Sequence, residues 1–101
     1  MSKEKIIVNV DEDLEELIPG FLENRNKDVQ FLREALSTGD TAKLQSIGHS
    51  LKGVGGGYGF DGLSEIGASI ESAAKDKDLG QIEGLVNDMA DYLQRIDVVF
   101  E

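Results

Sequence analysis

The residues best suited to chemistry in this sequence are a histidine, a lysine three positions later and the glycine that follows it: His49, Lys52 and Gly53. His49 is the only histidine among 101 residues, and the sequence contains no cysteine. An imidazole has an ordinary pKa of about 6.5, so near neutral pH much of it is uncharged and nucleophilic. A lysine three residues on lies one helical turn away, where its ammonium can neutralise an anion on the ring. The pattern therefore favours an imidazole that carries a phosphoryl group.

Glycine is concentrated around this histidine. Seven of the fifteen residues from 48 to 62 are glycine, and each glycine inside a helix costs about 1 kcal/mol relative to alanine. Side chains missing beside an exposed nucleophile indicate that something large approaches it closely. We assign Gly53 and Gly56 to partner access, whereas Gly48 and Gly55 are expected to serve helix packing.

An apolar stripe fixes the direction in which the histidine points. The stripe predicts a helix from about Thr41, and its members recur every three or four residues: Leu44, Ile47, Leu51, Val54 and Tyr58. At about 100° per residue, His49 falls on the opposite, solvent side. Gln45 lies near His49 on the same face of this helix, so we expect it to contact the phosphoryl group or the partner.

The remaining sequence predicts the elements that position this helix. Apolar residues return at helical spacing beyond Val10, and the connections are short, which favours antiparallel neighbours. We predict an all-α fold: an antiparallel four-helix bundle over residues 11–101, with an additional short helix before Pro19 and an extended N-terminal arm over residues 1–10. The apolar repeat of the last helix continues to Phe100. The last three helices each begin at a predicted N-cap: Asp40, Asp61 and Asp78.

The arm contains the β-branched run Lys5 to Val10, which favours extended backbone. One strand cannot form a sheet by itself, so we expect the run to lie across the bundle. A frayed tail, or a short strand that pairs with a partner, is the weaker alternative.

Length and composition limit the function classes. A chain of 101 residues is one domain with one modest core, and its net charge of −10 repels phosphate backbones and anionic lipids. Neither nucleic acid nor a membrane is an expected partner, and the start of the sequence has too short an apolar run for a signal peptide. We therefore expect a cytoplasmic protein, and one small domain with one exposed site is compatible with a monomer. A single histidine predicts no metal site.

The run from His49 to Gly53, with Gly59 beyond it, resembles the His-x-x-Lys-Gly signature of the histidine phosphotransfer (HPt) domains of bacterial two-component phosphorelays. The resemblance is strongest from Asp40 to Asp78 and extends loosely from Asp11 onward. It implies that His49 accepts a phosphoryl group through Nε2, that Lys52 lies beside the phosphoryl oxygens and that Gly53 leaves room for the partner. Contacts from the third helix stay unassigned.

The resemblance also implies the partners. HPt domains are carriers rather than enzymes: a histidine kinase supplies the phosphoryl group, or a response-regulator receiver domain exchanges it through an aspartate and bound magnesium. The chain itself then needs no cofactor. A Gly-x-Gly-x-x-Gly match at residues 57–62 follows no strand, so a nucleotide fold is not expected.

Two other readings of the residues stay open. A helical adaptor could bind a receiver or kinase without being phosphorylated, although the presence of both His49 and Lys52 counts against it. Acid/base catalysis is disfavoured, because the acids within residues 11–16 and 65–71 are predicted to lie on solvated helix faces.

Overall fold

Within residues 4–101, the part of the chain that the computed structural model describes, four helices form the body of the molecule. Neighbouring helices are joined by only two or three residues and pack against each other, which confirms the predicted bundle. The helices are α1 (Ile18–Thr38), α2 (Thr41–Gly57), α3 (Asp61–Lys75) and α4 (Leu79–Arg95).

Side-chain caps begin two of the helices where the sequence predicted them. The carboxylate of Asp40 accepts a hydrogen bond from the Lys43 backbone N–H at 3.0 Å, and that of Asp78 accepts one from the Gln81 N–H at 3.1 Å. The third predicted cap is wrong: Phe60 occupies the N-cap position of α3, and Asp61 is the first residue of the helix. The Asp61 carboxylate is therefore in the first turn, where the helix dipole still favours it.

The short helix predicted before Pro19 is a 3-10 helix, Glu12–Leu17, which leads directly into α1. Pro19 lies in the first turn of α1, where the missing N–H costs nothing because those N–H groups have no intrahelical partner. The proline therefore marks a boundary between two helices.

A two-stranded parallel sheet joins the two ends of the chain. Strand β1 (Ile6–Val10) pairs with β2 (Ile96–Phe100), in the register Ile6 to Ile96 and Val10 to Phe100. The run beginning at Lys5 is extended as predicted, but it pairs within its own chain instead of lying unpaired across the bundle. The first three residues of the predicted arm lie outside the described residues.

The last helix is accordingly shorter than predicted, since α4 ends at Arg95. The spacing of Ile96 and Phe100 suits a helix, but Val98 and Val99 also favour a strand. Pairing with β1 decides between the two, because β2 gains a ladder of backbone hydrogen bonds with a strand whose Val8 and Val10 are buried in the hydrophobic core.

Close packing of α2 against α3 depends on glycine. A Cβ on Gly67 would lie 2.5 Å from the Lys52 backbone nitrogen and 2.8 Å from the Gly48 carbonyl oxygen. A Cβ on Gly48 would lie 2.7 Å from the Glu71 nitrogen, and one on Gly55 would lie 2.7 Å from the Ser64 nitrogen. The packing role predicted for Gly48 and Gly55 is thus confirmed.

Substitution of Gly67 by alanine is expected to separate these two helices. Two of the three obstructing atoms belong to the backbone and the third is the Leu51 Cβ, none of which can turn aside. We therefore expect the free energy of unfolding to fall by about 1–3 kcal/mol, as in overpacked cores. Gly84→Ala is the matched control, because a methyl group there would have no neighbour within 4 Å and alanine favours the helix by about 1 kcal/mol. Urea denaturation measures both variants. Equal stability of the two would contradict the packing role of Gly67.

Candidate functional site

His49 lies in the middle of α2 with its side chain 73% exposed. Leu44 and Leu51, on the opposite side of the helix, are at most 1% exposed. The solvent-facing orientation predicted from the apolar stripe is therefore confirmed, and a visiting protein can reach the ring.

Glu71 of α3 holds one nitrogen of the ring. The Nδ1 atom of His49 lies 2.9 Å from Oε2 of Glu71, whose side chain is only 16% exposed. An ionised carboxylate can only accept hydrogen bonds, so Nδ1 carries the ring proton and donates a hydrogen bond to Glu71. In the neutral ring this tautomer leaves Nε2 with its lone pair available for attack.

The small residues beside His49 leave one side of the site open. A methyl group at Gly53 would have no neighbour within 4 Å, and one at Gly56 would reach only the Ser64 hydroxyl, at 3.7 Å. Lys52 is exposed, one helical turn from His49. The surface predicted for partner access therefore has no bulky side chains at Gly53 and Gly56 that would keep a partner away.

Gln45 lies on the other side of the ring, one turn earlier along α2. It is half-buried and lines a shallow depression together with Ala42, Ser46, Ser50, Glu71 and His49 itself. The structure thus brings all five predicted site residues to one surface of α2: Gln45, His49, Lys52, Gly53 and Gly56.

Comparison with protein families decides the class of protein that carries this site. The family model described as "Hpt domain" matches residues 10–98. The chain belongs to the Hpt domain family. Neither the curated proteins nor the solved structures contain a significant match to it.

Membership of the Hpt family implies histidine phosphotransfer in a phosphorelay. Hpt domains are phosphotransfer carriers without a kinase ATP site, and they generally interact with receiver domains and kinases. Among residues 4–101 of this Hpt domain, no group of three or more histidine, aspartate or glutamate side chains could hold a metal ion. No helix in that range is long and apolar enough to cross a membrane.

The sequence did not identify Glu71 as a site residue. The prediction that Glu71 lies on a solvated helix face was wrong, because its side chain is only 16% exposed and contacts His49. The signal that could have found it is the antiparallel pairing of α2 with α3 across a three-residue connection. Gly55 lies level with Ser64, and Gly48 lies level with Glu71. Counting outward from the connection would have placed Glu71 beside His49 in this Hpt domain.

Proposed function

We propose that His49 is the phosphoacceptor of this Hpt domain and that its Nε2 atom is the nucleophile. Nε2 attacks the phosphorus of an aspartyl phosphate on a receiver, or the terminal phosphorus of ATP held by a histidine kinase. A nitrogen–phosphorus bond forms as the bond to the donor atom breaks, and the donor leaves with that electron pair. The reverse sequence passes the phosphoryl group onward. The observation that carries this proposal is an exposed imidazole whose Nδ1 is bonded to Glu71, which leaves Nε2 free.

Glu71 orients the ring and balances the charge that develops on it. When Nε2 bonds to phosphorus, the ring becomes cationic while Nδ1 keeps its proton. The carboxylate is charged in both forms, but it faces a neutral ring before transfer and a cationic ring afterwards, so the attraction between opposite charges is gained only on phosphorylation. Glu71 therefore stabilises the phosphorylated form more than the free form.

Lys52 supports the phosphoryl group itself, because its ammonium lies one turn from the ring on the exposed side and attracts the phosphoryl oxygens. Gly53 and Gly56 keep the approach open for the partner. Gln45 lines the depression on the other side of the ring, where its amide can contact the phosphoryl group or the partner.

We propose a receiver domain and a histidine kinase as partners of this chain, with catalysis and magnesium supplied by them. A carrier needs only to present its nucleophile, and the exposed ring beside two open glycines does so. All the residues of the proposed site belong to one chain, so the proposed function requires only a monomer.

The proposal is tested by incubating the protein with phosphorylated receivers and with active histidine kinases. The expected label is lost in acid and retained in base, and peptide mapping places it on His49. An acid-stable label, or a label on another residue, would overturn the assignment of the nucleophile.

Loss of the Glu71 carboxylate is expected to slow transfer. A hydrogen bond to a charged group contributes about 1.5–3 kcal/mol, and about 1.4 kcal/mol corresponds to a factor of ten in rate. We therefore expect Glu71→Ala to reduce the rate of phosphorylation by about 10- to 100-fold.

The control for Glu71→Ala is Glu65→Ala, which removes an exposed acid from the same helix and should leave the rate unchanged. Single-turnover transfer from a phosphorylated receiver measures both variants. Equally reduced rates in the two variants would show that negative charge on α3, rather than the hydrogen bond to His49, supports transfer. A wild-type rate in Glu71→Ala would overturn the role of Glu71.

A further inference from the structure

Helix α3 contacts the proposed site a second time, at the backbone of Lys52. The Ser64 hydroxyl donates a hydrogen bond to the Lys52 carbonyl oxygen, with an Oγ to O distance of 2.8 Å. Ser64 and Glu71 are seven residues apart, about two helical turns, and so lie on the same face of α3. One face of α3 therefore holds both the ring of His49 and the main chain of Lys52.

The packing around this second contact fixes the separation between the helices. Gly67 lies between Ser64 and Glu71, and a Cβ there would be 2.5 Å from the Lys52 nitrogen. Gly55 allows a similarly close approach, because a Cβ there would lie 2.7 Å from the Ser64 nitrogen. The two helices are therefore near enough for a side chain as short as serine to reach a helix carbonyl.

The segment that follows Lys52 is poorly suited to holding its own conformation. Four of its next five residues are glycine, at positions 53 and 55–57, and glycine is the least favourable residue after proline in a helix interior. Even so, α2 stays helical through Gly57. A hydrogen bond from α3 at Lys52 restrains the backbone at the start of this weak segment.

We propose that Ser64 is a positioning residue for phosphoryl transfer, which acts by holding the backbone from which the Lys52 side chain extends. The proposal rests on the proposed function, since it assumes that Lys52 supports a phosphoryl group on His49. Ser64 touches neither the ring nor the phosphoryl group in this role. Its effect on transfer therefore passes through the Lys52 ammonium.

A double-mutant cycle tests this route. The variants are Ser64→Ala, Lys52→Ala and the two combined, and single-turnover transfer from a phosphorylated receiver gives the rates. A typical hydrogen bond corresponds to about a 2- to 10-fold change in rate, so we expect Ser64→Ala to slow transfer by that factor. In the Lys52→Ala background, the same change should have no further effect.

Ser72→Ala is the control, because Ser72 is an exposed serine of the same helix and its loss should leave the rate unchanged. Circular dichroism establishes that each variant is folded at the assay temperature. If Ser64→Ala is not folded, Ser64→Cys replaces it in the cycle, since a thiol has similar size but is a weak donor.

Two results would overturn the role of Ser64: an unchanged rate in the single variant, or a full additional loss when Lys52 is already alanine. The second result would mean that Ser64 acts on the helix as a whole. Either result leaves the label on His49 intact, whereas a label that persists in His49→Gln would overturn the proposed function itself.

Discussion

His49→Gln is expected to lose phosphoryl labelling completely while keeping the helical circular dichroism of the wild type. Glutamine has no imidazole nitrogen to attack phosphorus, and the sequence offers no other histidine as a substitute. The side chain is 73% exposed, so loss of its hydrogen bond to Glu71 should change the free energy of unfolding by about 1 kcal/mol or less. Label transfer from a phosphorylated receiver and urea denaturation measure the two effects.

Binding measurements with the same variant separate the carrier from the adaptor. A carrier without its nucleophile should still bind its receiver, because the surface around residue 49 is unchanged. A wild-type protein that binds receivers or kinases but takes no label from any of them would favour the adaptor. A label that survives in His49→Gln would exclude His49 as the phosphoacceptor.

Gly53→Leu is expected to block transfer without weakening the fold. A side chain at this position points into open space beside the site, and leucine favours a helix by up to about 1 kcal/mol over glycine. The variant should therefore be as stable as the wild type or more so. Transfer should fall by about 10-fold or more, because about 1.4 kcal/mol of lost contact with the partner is sufficient for that factor.

Gly84→Leu provides a matched comparison for Gly53→Leu. Both glycines lie inside helices with no atom within 4 Å of an added Cβ, but Gly84 belongs to α4. We expect Gly84→Leu to stabilise the fold equally and to transfer at the wild-type rate. If Gly53→Leu also transfers normally, the partner does not approach this part of α2 closely.

Local patterns were sufficient to predict where α1, α2 and α4 begin. Asp40 and Asp78 cap α2 and α4 by bonding to backbone N–H groups three residues later, and this interaction depends only on neighbours in the chain. Proline at position 19 marks the beginning of α1 for an equally local reason. Such signals depend on short-range geometry, so they hold whatever the rest of the chain does.

The strands could not be predicted in the same way. Ile96–Phe100 has residues that suit both a helix and a strand, and its partner Ile6–Val10 is 90 positions away in the sequence. A strand is stable only when its backbone groups find partners, and no local pattern specifies a partner so distant. The bundle brings the two ends together and thereby decides the outcome.

In the candidate site, too, some features follow from local sequence and others depend on tertiary contacts. The exposure of His49, and its proximity to Lys52 and Gly53, were determined by the sequence alone, because one helix and its apolar stripe set the direction of every side chain on it. Glu71 and Ser64 became visible only in the tertiary structure. Their positions depend on how closely and in what alignment α3 packs on α2, which Gly48, Gly55 and Gly67 decide through contacts between two helices.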